Sequence, residues 1–211
     1  MGNLGYQSQA QEGIAASFNS LSSYADSLHE ALTQPYHAYE KLGIQNPDGD
    51  YNQLATTLLQ IENEYYGTIR PKQTILRGER PLHALRERGV QYVEVRCLDL
   101  NPFLSVGIDT TIARFIDIFL LHCLLSDSRP DSPDELSELS YNQQVVANQG
   151  RDPRLQLKRN GTAVNAWEWA DEILTQSAPI AARLDDVFSS NTYSTALTDM
   201  RHRLIHPETL P

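Results

Sequence analysis

Four short stretches carry residue types that can do chemistry together. They are Leu4-Gly5-Tyr6, Gln60-Ile61-Glu62-Asn63-Glu64-Tyr65-Tyr66, the basic run Ile69-Arg70-Pro71-Lys72, and Val93-Glu94-Val95-Arg96. Carboxylates beside arginines suit magnesium and phosphate, because Mg2+ takes oxygen ligands and a guanidinium meets phosphate through paired hydrogen bonds. That is the equipment of an ATP-using site. The same residues have a plainer reading, in which Glu94 and Arg96 form cross-strand ion pairs on a solvated face, worth ~0.2–1 kcal/mol each. On composition alone, Glu62 and Glu64 read as surface carboxylates.

Two strands are expected to position these groups. Alternation over 58–66 places Leu59, Ile61, Asn63 and Tyr65 on one face and Gln60, Glu62, Glu64 and Tyr66 on the other. Over 90–98 it places Val93, Val95 and Cys97 opposite Tyr92, Glu94, Arg96 and Leu98, so a glutamate and an arginine project side by side. Between the strands, Ile69–Lys72 and Arg77–Pro81 read as a basic loop in an acidic chain.

Helices account for most of the rest. Apolar residues at Ile14, Phe18, Leu21, Ala25, Leu28 and Leu32 predict one buried helix face, ended by Pro35. A helix over 109–125 is apolar on nearly every side and is expected to run through the core. Ser132, Pro133 and Glu135 form a start signal for a helix over 133–147. Further helices are expected over 166–188, interrupted near Pro179, and over 193–205, stopped by His206-Pro207. Asn46-Pro47-Asp48-Gly49 and Asn160-Gly161 read as turns.

The totals narrow the class. A chain of 211 residues with 40% hydrophobic content can bury a core as one large or two small domains. A net charge of -10 opposes nucleic acid as a partner. The apolar run 112–125 is broken by Arg114, Asp117 and His122 and falls short of the roughly 20 residues of a membrane span. The first residues hold neither a basic cluster nor a hydrophobic signal core, which points to the cytoplasm. Cys97 and Cys123 are too few for a disulfide framework and read as buried thiols. Among six histidines only His202 and His206 have ligand-like spacing, and Arg201 and Arg203 crowd them with positive charge.

Leu-Gly-Tyr at 4–6, Leu-Gln-Ile-Glu-Asn-Glu at 59–64, Ile-Arg-Pro-Lys at 69–72 and Tyr-Val-Glu-Val-Arg-Cys-Leu-Asp-Leu-Asn-Pro-Phe at 92–103 resemble, in order and spacing, the proteobacterial glutamate-cysteine ligases. The resemblance implies an α+β fold, part of a glutamine-synthetase-like antiparallel sheet with a mostly helical remainder, and a partial catalytic domain over 1–211. It implies ATP and Mg2+ as cofactors, and L-glutamate and L-cysteine as substrates joined through an acyl phosphate in the first step of glutathione synthesis. By the same resemblance Tyr6 and Tyr66 contact cysteine, Glu94 is a magnesium ligand, and Arg96 meets the phosphorylated intermediate. Arg70 and Lys72 are phosphate neighbours.

Family members have roughly twice this length, so the chain reads as a C-terminal fragment whose N-terminal half would be its partner in completing the site. Two alternatives stand beside this reading. One is a non-catalytic helical interaction module derived from the enzyme, and the other is a related ligase with a different amine acceptor.

Overall fold

The computed structural model describes residues 11, 14, 16–96 and 98–210. These fall into two compact units, one drawn from 4–98 with 130–136 and the other from 99–129 with 137–211.

In the first unit, helix α1 (Leu21–Thr33) begins where the Ser20 hydroxyl accepts from Ser23 N, satisfying a free donor of the first turn. The predicted helix was to start near Ile14. Instead Asp131 accepts from Phe18 N at 3.0 Å, from the Ser17 hydroxyl at 3.1 Å and from the Asn19 amide at 2.7 Å. Those bonds give residues 17–19 partners outside any helix. The buried face of α1, Tyr24, Ala25, Leu28 and Ala31, packs with Leu59, Tyr65, Leu82 and Leu85.

A short helix, α2 (His37–Leu42), follows. The stretch 58–66 is not the expected strand. Leu58 N and Leu59 N donate to Gln34 O and Ala31 O at the end of α1, capping carbonyls that a helix terminus leaves free. Glu62–Glu64 then form a single 3₁₀ turn. Leu59 and Tyr65 are buried as the alternation required, but Ile61 is exposed. Burial periodicity therefore survives at its two ends while the backbone finds turn partners instead of a ladder.

The segment read as a basic loop supplies the missing strand. β1 (Ile69–Lys72) pairs antiparallel with β2 (Tyr92–Val95), with Ile69 opposite Val95, Arg70 opposite Glu94, Pro71 opposite Val93 and Lys72 opposite Tyr92. Pro71 is tolerated because this sheet has two strands, both edges, and needs no donor there. Helix α3 (Pro81–Arg88) links the strands, with Pro at its start and Leu82 and Leu85 facing the core.

The second unit is helical with one hairpin. α4 (Thr110–Leu125) is capped by Asp109, which accepts from Ile112 N at 2.9 Å. α5 (Pro133–Gln149) starts at the expected proline. Its first four residues, Pro133–Leu136, belong to the first unit. Strands β3 (Gln156–Arg159) and β4 (Thr162–Asn165) form a hairpin closed by Asn160 and Gly161 at φ 53° and 76°. Both positions lie in the left-handed region that a tight hairpin turn requires.

Helix α6 (Ala166–Phe188) starts at Asn165, whose side chain accepts from Trp167 N and Glu168 N. It continues through Pro179, because packing against α4 and α7 (Thr192–Ile205) outweighs the one backbone bond that proline removes. Asp185 accepts from Tyr193 N and Ser194 N, both at 2.9 Å, and so starts α7. Ile118, Leu174, Ala181 and Leu197 form the core. α4 does not run through that core on all sides. Ile118 is fully buried, while Leu124 and Leu125 are 76% and 72% exposed. Cys123 is exposed as well, against expectation, and Cys97 lies outside the described residues. No helix among the described residues is long and apolar enough to cross a membrane.

Candidate functional site

Directly opposed residues of an antiparallel pair project to one side of the sheet. Arg70 and Lys72 of β1 therefore share a face with Tyr92 and Glu94 of β2, and Arg96 continues that face one residue past the strand, its N–H donating to Thr68 O at 2.8 Å. Three cations thus surround one carboxylate.

Lys72 Nζ lies 3.2 Å from Glu94 Oε2, at ion-pair distance but off hydrogen-bond alignment, and that oxygen is sealed from solvent without an aligned donor. Lys72 holds the Glu94 carboxyl below the usual carboxylate range, and the charges of Arg96 and Arg70 add to it against the cost of burial. The Arg96 guanidinium carbon sits 4.9 Å above the centre of the Tyr66 ring, a cation–π arrangement. Tyr66 is tied in turn by its backbone N–H, which donates to Gln11 Oε1 at 3.1 Å, while Gln11 Nε2 donates to Glu64 O at 2.9 Å.

Arg70 differs from the other two cations in being only 7% exposed. Its Nη2 donates to Glu62 O at 3.4 Å, and its Nε has no hydrogen-bond partner. Two phenols accompany it. Burial raises the Tyr24 hydroxyl, with the nearby guanidinium pulling the other way, and burial pushes Tyr65 up to about 12. The two rings meet edge to face with centroids 6.5 Å apart.

Tyr66, Arg70, Lys72, Glu94 and Arg96 are accordingly brought together, and Tyr6 lies outside the described residues. Glu62 and Glu64 do not join them as a chemical face. Glu62 Oε2 accepts from Leu82 N at 2.7 Å, in the first turn of α3, and Glu64 Oε2 accepts from Gln60 N at 2.7 Å. Both carboxylates satisfy nearby backbone donors, which compete with a strand conformation. Tyr24 and Tyr65 escaped sequence reasoning because no local spacing links Tyr24 to Arg70.

A separate cavity of about 300 Å3 in the second unit is lined by Asn101, Phe103, Asp199, His202, Arg203, Thr209 and Leu210, and contains none of the candidate residues. Beside it the His202 and His206 rings lie 4.5 Å apart, and His206 Nδ1 is 3.0 Å from Glu208. Among the described residues no group of three or more histidine, cysteine, aspartate or glutamate side chains is arranged to hold a metal ion.

The fold is α+β, and the cluster on β1 and β2 gathers three cations and one carboxylate beside the Tyr66 ring. The glutamate-cysteine ligase family model matches residues 1–146, and the chain belongs to that family. It is 50% identical over 211 residues to the glutamate-cysteine ligase of Pseudomonas paraeruginosa, covering 100% of this chain and 40% of that protein. Against the enzyme of Pseudomonas fluorescens it is 51% identical over 197 residues, 93% of this chain and 37% of that one. A crystal structure of glutamate-cysteine ligase from Francisella tularensis in complex with AMP superposes with a TM-score of 0.89 at 35% identity, covering 97% of this chain and 40% of that chain. The chain therefore spans about 40% of the length of these relatives.

Proposed function

We propose that this chain supplies the cysteine-facing and phosphate-facing wall of an enzyme that joins the γ-carboxylate of glutamate to the amino group of cysteine at the expense of ATP. The observation that carries this reading is the position of Arg96, stacked on Tyr66 on one side and adding its charge to Glu94 on the other. One residue thereby links an aromatic surface for a small amino acid to a cationic surface for phosphate.

In this reading the glutamate γ-carboxylate takes the γ-phosphoryl group of ATP, and the cysteine amine displaces phosphate from the acyl phosphate. Arg96 and Lys72 neutralise the charge that develops on the transferred group, which fixed cations do without reorganising. Tyr66, with Tyr6, orients cysteine through ring and hydroxyl. Arg70 lends charge to the same face from below it. The AMP complex of the Francisella tularensis relative supports nucleotide use.

Magnesium is a different matter. The described residues offer it the carboxylate of Glu94, already paired with Lys72, and no cluster of three ligating side chains. They do not hold the ion by themselves. Glu94 is proposed as one oxygen ligand of a site completed by sequence beyond this chain, the N-terminal part of the longer relatives.

The test is ADP release with glutamate, cysteine, ATP and Mg2+, using the chain alone and then mixed with the N-terminal part of a relative. Turnover on mixing, lost in Arg96→Met, is expected. Silence in both preparations, with the mixed proteins folded and associated, overturns the proposal.

A further inference from the structure

Arg70 presents a physical problem that the ligase reading does not resolve. An arginine that is 7% exposed loses most of the hydration of its charge, and that loss is ordinarily offset by a carboxylate. Among the described residues no carboxylate lies within ion-pair distance of it, and its register partner Glu94 pairs with Lys72 instead. Arg70 bonds the Glu62 carbonyl instead, and its charge acts on the phenol groups of Tyr24 and Tyr65. These belong to the turn that leads into Tyr66 and to the helix beneath it.

We propose that Arg70 is a positioning residue: its buried guanidinium grips the Glu62–Glu64 turn from below, and the turn holds the Tyr66 ring under Arg96. The connection runs through a short series of hydrogen bonds. Arg70 Nη2 holds Glu62 O, and Glu62 and Glu64 close the turn through Leu82 N and Gln60 N. Gln11 ties Glu64 O to Tyr66 N, so the turn and the tyrosine move as one piece. Gly67 then leads into β1, where an added Cβ would meet Tyr65 Cε1 at 3.0 Å and Ile69 O at 3.2 Å. The link from the turn to β1 is thus closely packed against the Tyr65 ring, while Arg70 bonds the first residue of the turn. A lysine, whose side chain ends nearer the backbone in a single ammonium, does not carry a donor to the position of Nη2.

The consequence deepens the proposed function and rests on it: Arg70 controls cysteine recognition through Tyr66 without touching cysteine. The experiment uses this chain labelled with 3-fluorotyrosine, the Tyr66 signal being assigned by its absence in Tyr66→Phe. Arg96→Met defines the displacement that follows loss of the stacked guanidinium. Arg70→Met and Arg70→Lys are each expected to move the Tyr66 signal by at least half that displacement, with helical circular dichroism retained and the Tyr193 signal unmoved.

A Tyr66 signal that stays at its parent position in either folded variant overturns the proposal. Unfolding of both variants also overturns it, since Arg70 would then support the whole unit and not the tyrosine. Titration with free cysteine separates the two readings. If cysteine fails to move Tyr66 in the parent chain, the assignment of the ligand falls, while the response to Arg70→Lys still decides the positioning.

Discussion

Glu94 stands directly opposite Arg70 across the two-stranded sheet, yet its ion pair is with Lys72, 3.2 Å away and one same-face position further along β1. The register places two cations within reach of one carboxylate, and burial decides between them. Arg70 points beneath the turn at 62–64, whereas Lys72 remains accessible at the edge.

Lys72→Met should therefore raise the Glu94 carboxyl toward its ordinary range, read by carbon-detected titration of glutamate side chains. The sign follows from linkage. A carboxyl held low in the fold contributes stability above its unfolded pKa and loses it as pH falls through the folded value. Because the Glu94 side chain is 40% exposed, screening limits the stability effect to at most about 1 kcal/mol.

Arg88 holds both oxygens of Glu79, at 2.7 and 2.6 Å, and Leu76 N donates to the same carboxylate at 2.8 Å. These bonds, that of Arg88 foremost, bring Glu79 down to about 2. Its contribution should persist above pH ~4.5 and fade as pH falls toward about 2. Thermal melts across pH 5 to 2 should show a decline that Arg88→Met flattens.

Gly67→Ala should cost about 1–3 kcal/mol, because the new methyl would meet the ring of buried Tyr65 at 3.0 Å and the Ile69 carbonyl at 3.2 Å, tighter than ordinary contact. Urea denaturation of the first unit, followed through tyrosine fluorescence, measures it. An unchanged midpoint would show that Tyr65 repacks freely.

Tyr66 and Arg96 should couple in a double-mutant cycle. Tyr66→Ala and Arg96→Met together are expected to cost about 0.5–1 kcal/mol less than the sum of the single changes, the magnitude of a partly exposed cation–π contact. Strict additivity would mean that the stack carries no energy.

In the second unit, Asn142 is buried in α5 and bonds both Lys158 O and Lys158 N, at 2.7 and 2.8 Å. Asn142→Ala leaves those backbone groups without their partner and should cost about 1–3 kcal/mol. Trp167 and Trp169, both at the start of α6, report the transition by fluorescence.

Much of the helical framework was legible because its signals are local. The helix start near Asp109, Pro133 and the Asn160-Gly161 turn depend on residues within one turn of chain, and each lies close to where sequence reading put it. The projection of Glu94 and Arg96 to one side of β2 was legible for the same reason, since strand periodicity spans two residues. The stretch 58–66 misled because alternation records burial and not hydrogen-bond partners. Leu59 and Tyr65 are buried, but Ala31, Gln34 and Leu82, which the pattern does not mention, take up its backbone and side-chain bonds.

By itself, the order of residue types from Tyr6 to Phe103 determined the family and the chemistry at hand: carboxylate, guanidinium, ammonium and phenol on neighbouring segments. Only the tertiary structure decided which of those groups share a face and which turn to neighbouring backbone. Glu62 and Glu64 serve backbone donors, Arg70 is buried under a turn, and Lys72, Glu94, Arg96 and Tyr66 remain on the face. The reason is that a charged group's role is set by the nearest donor or acceptor in space. For Arg70 one of those is Tyr24, whose distance along the chain carries no signal.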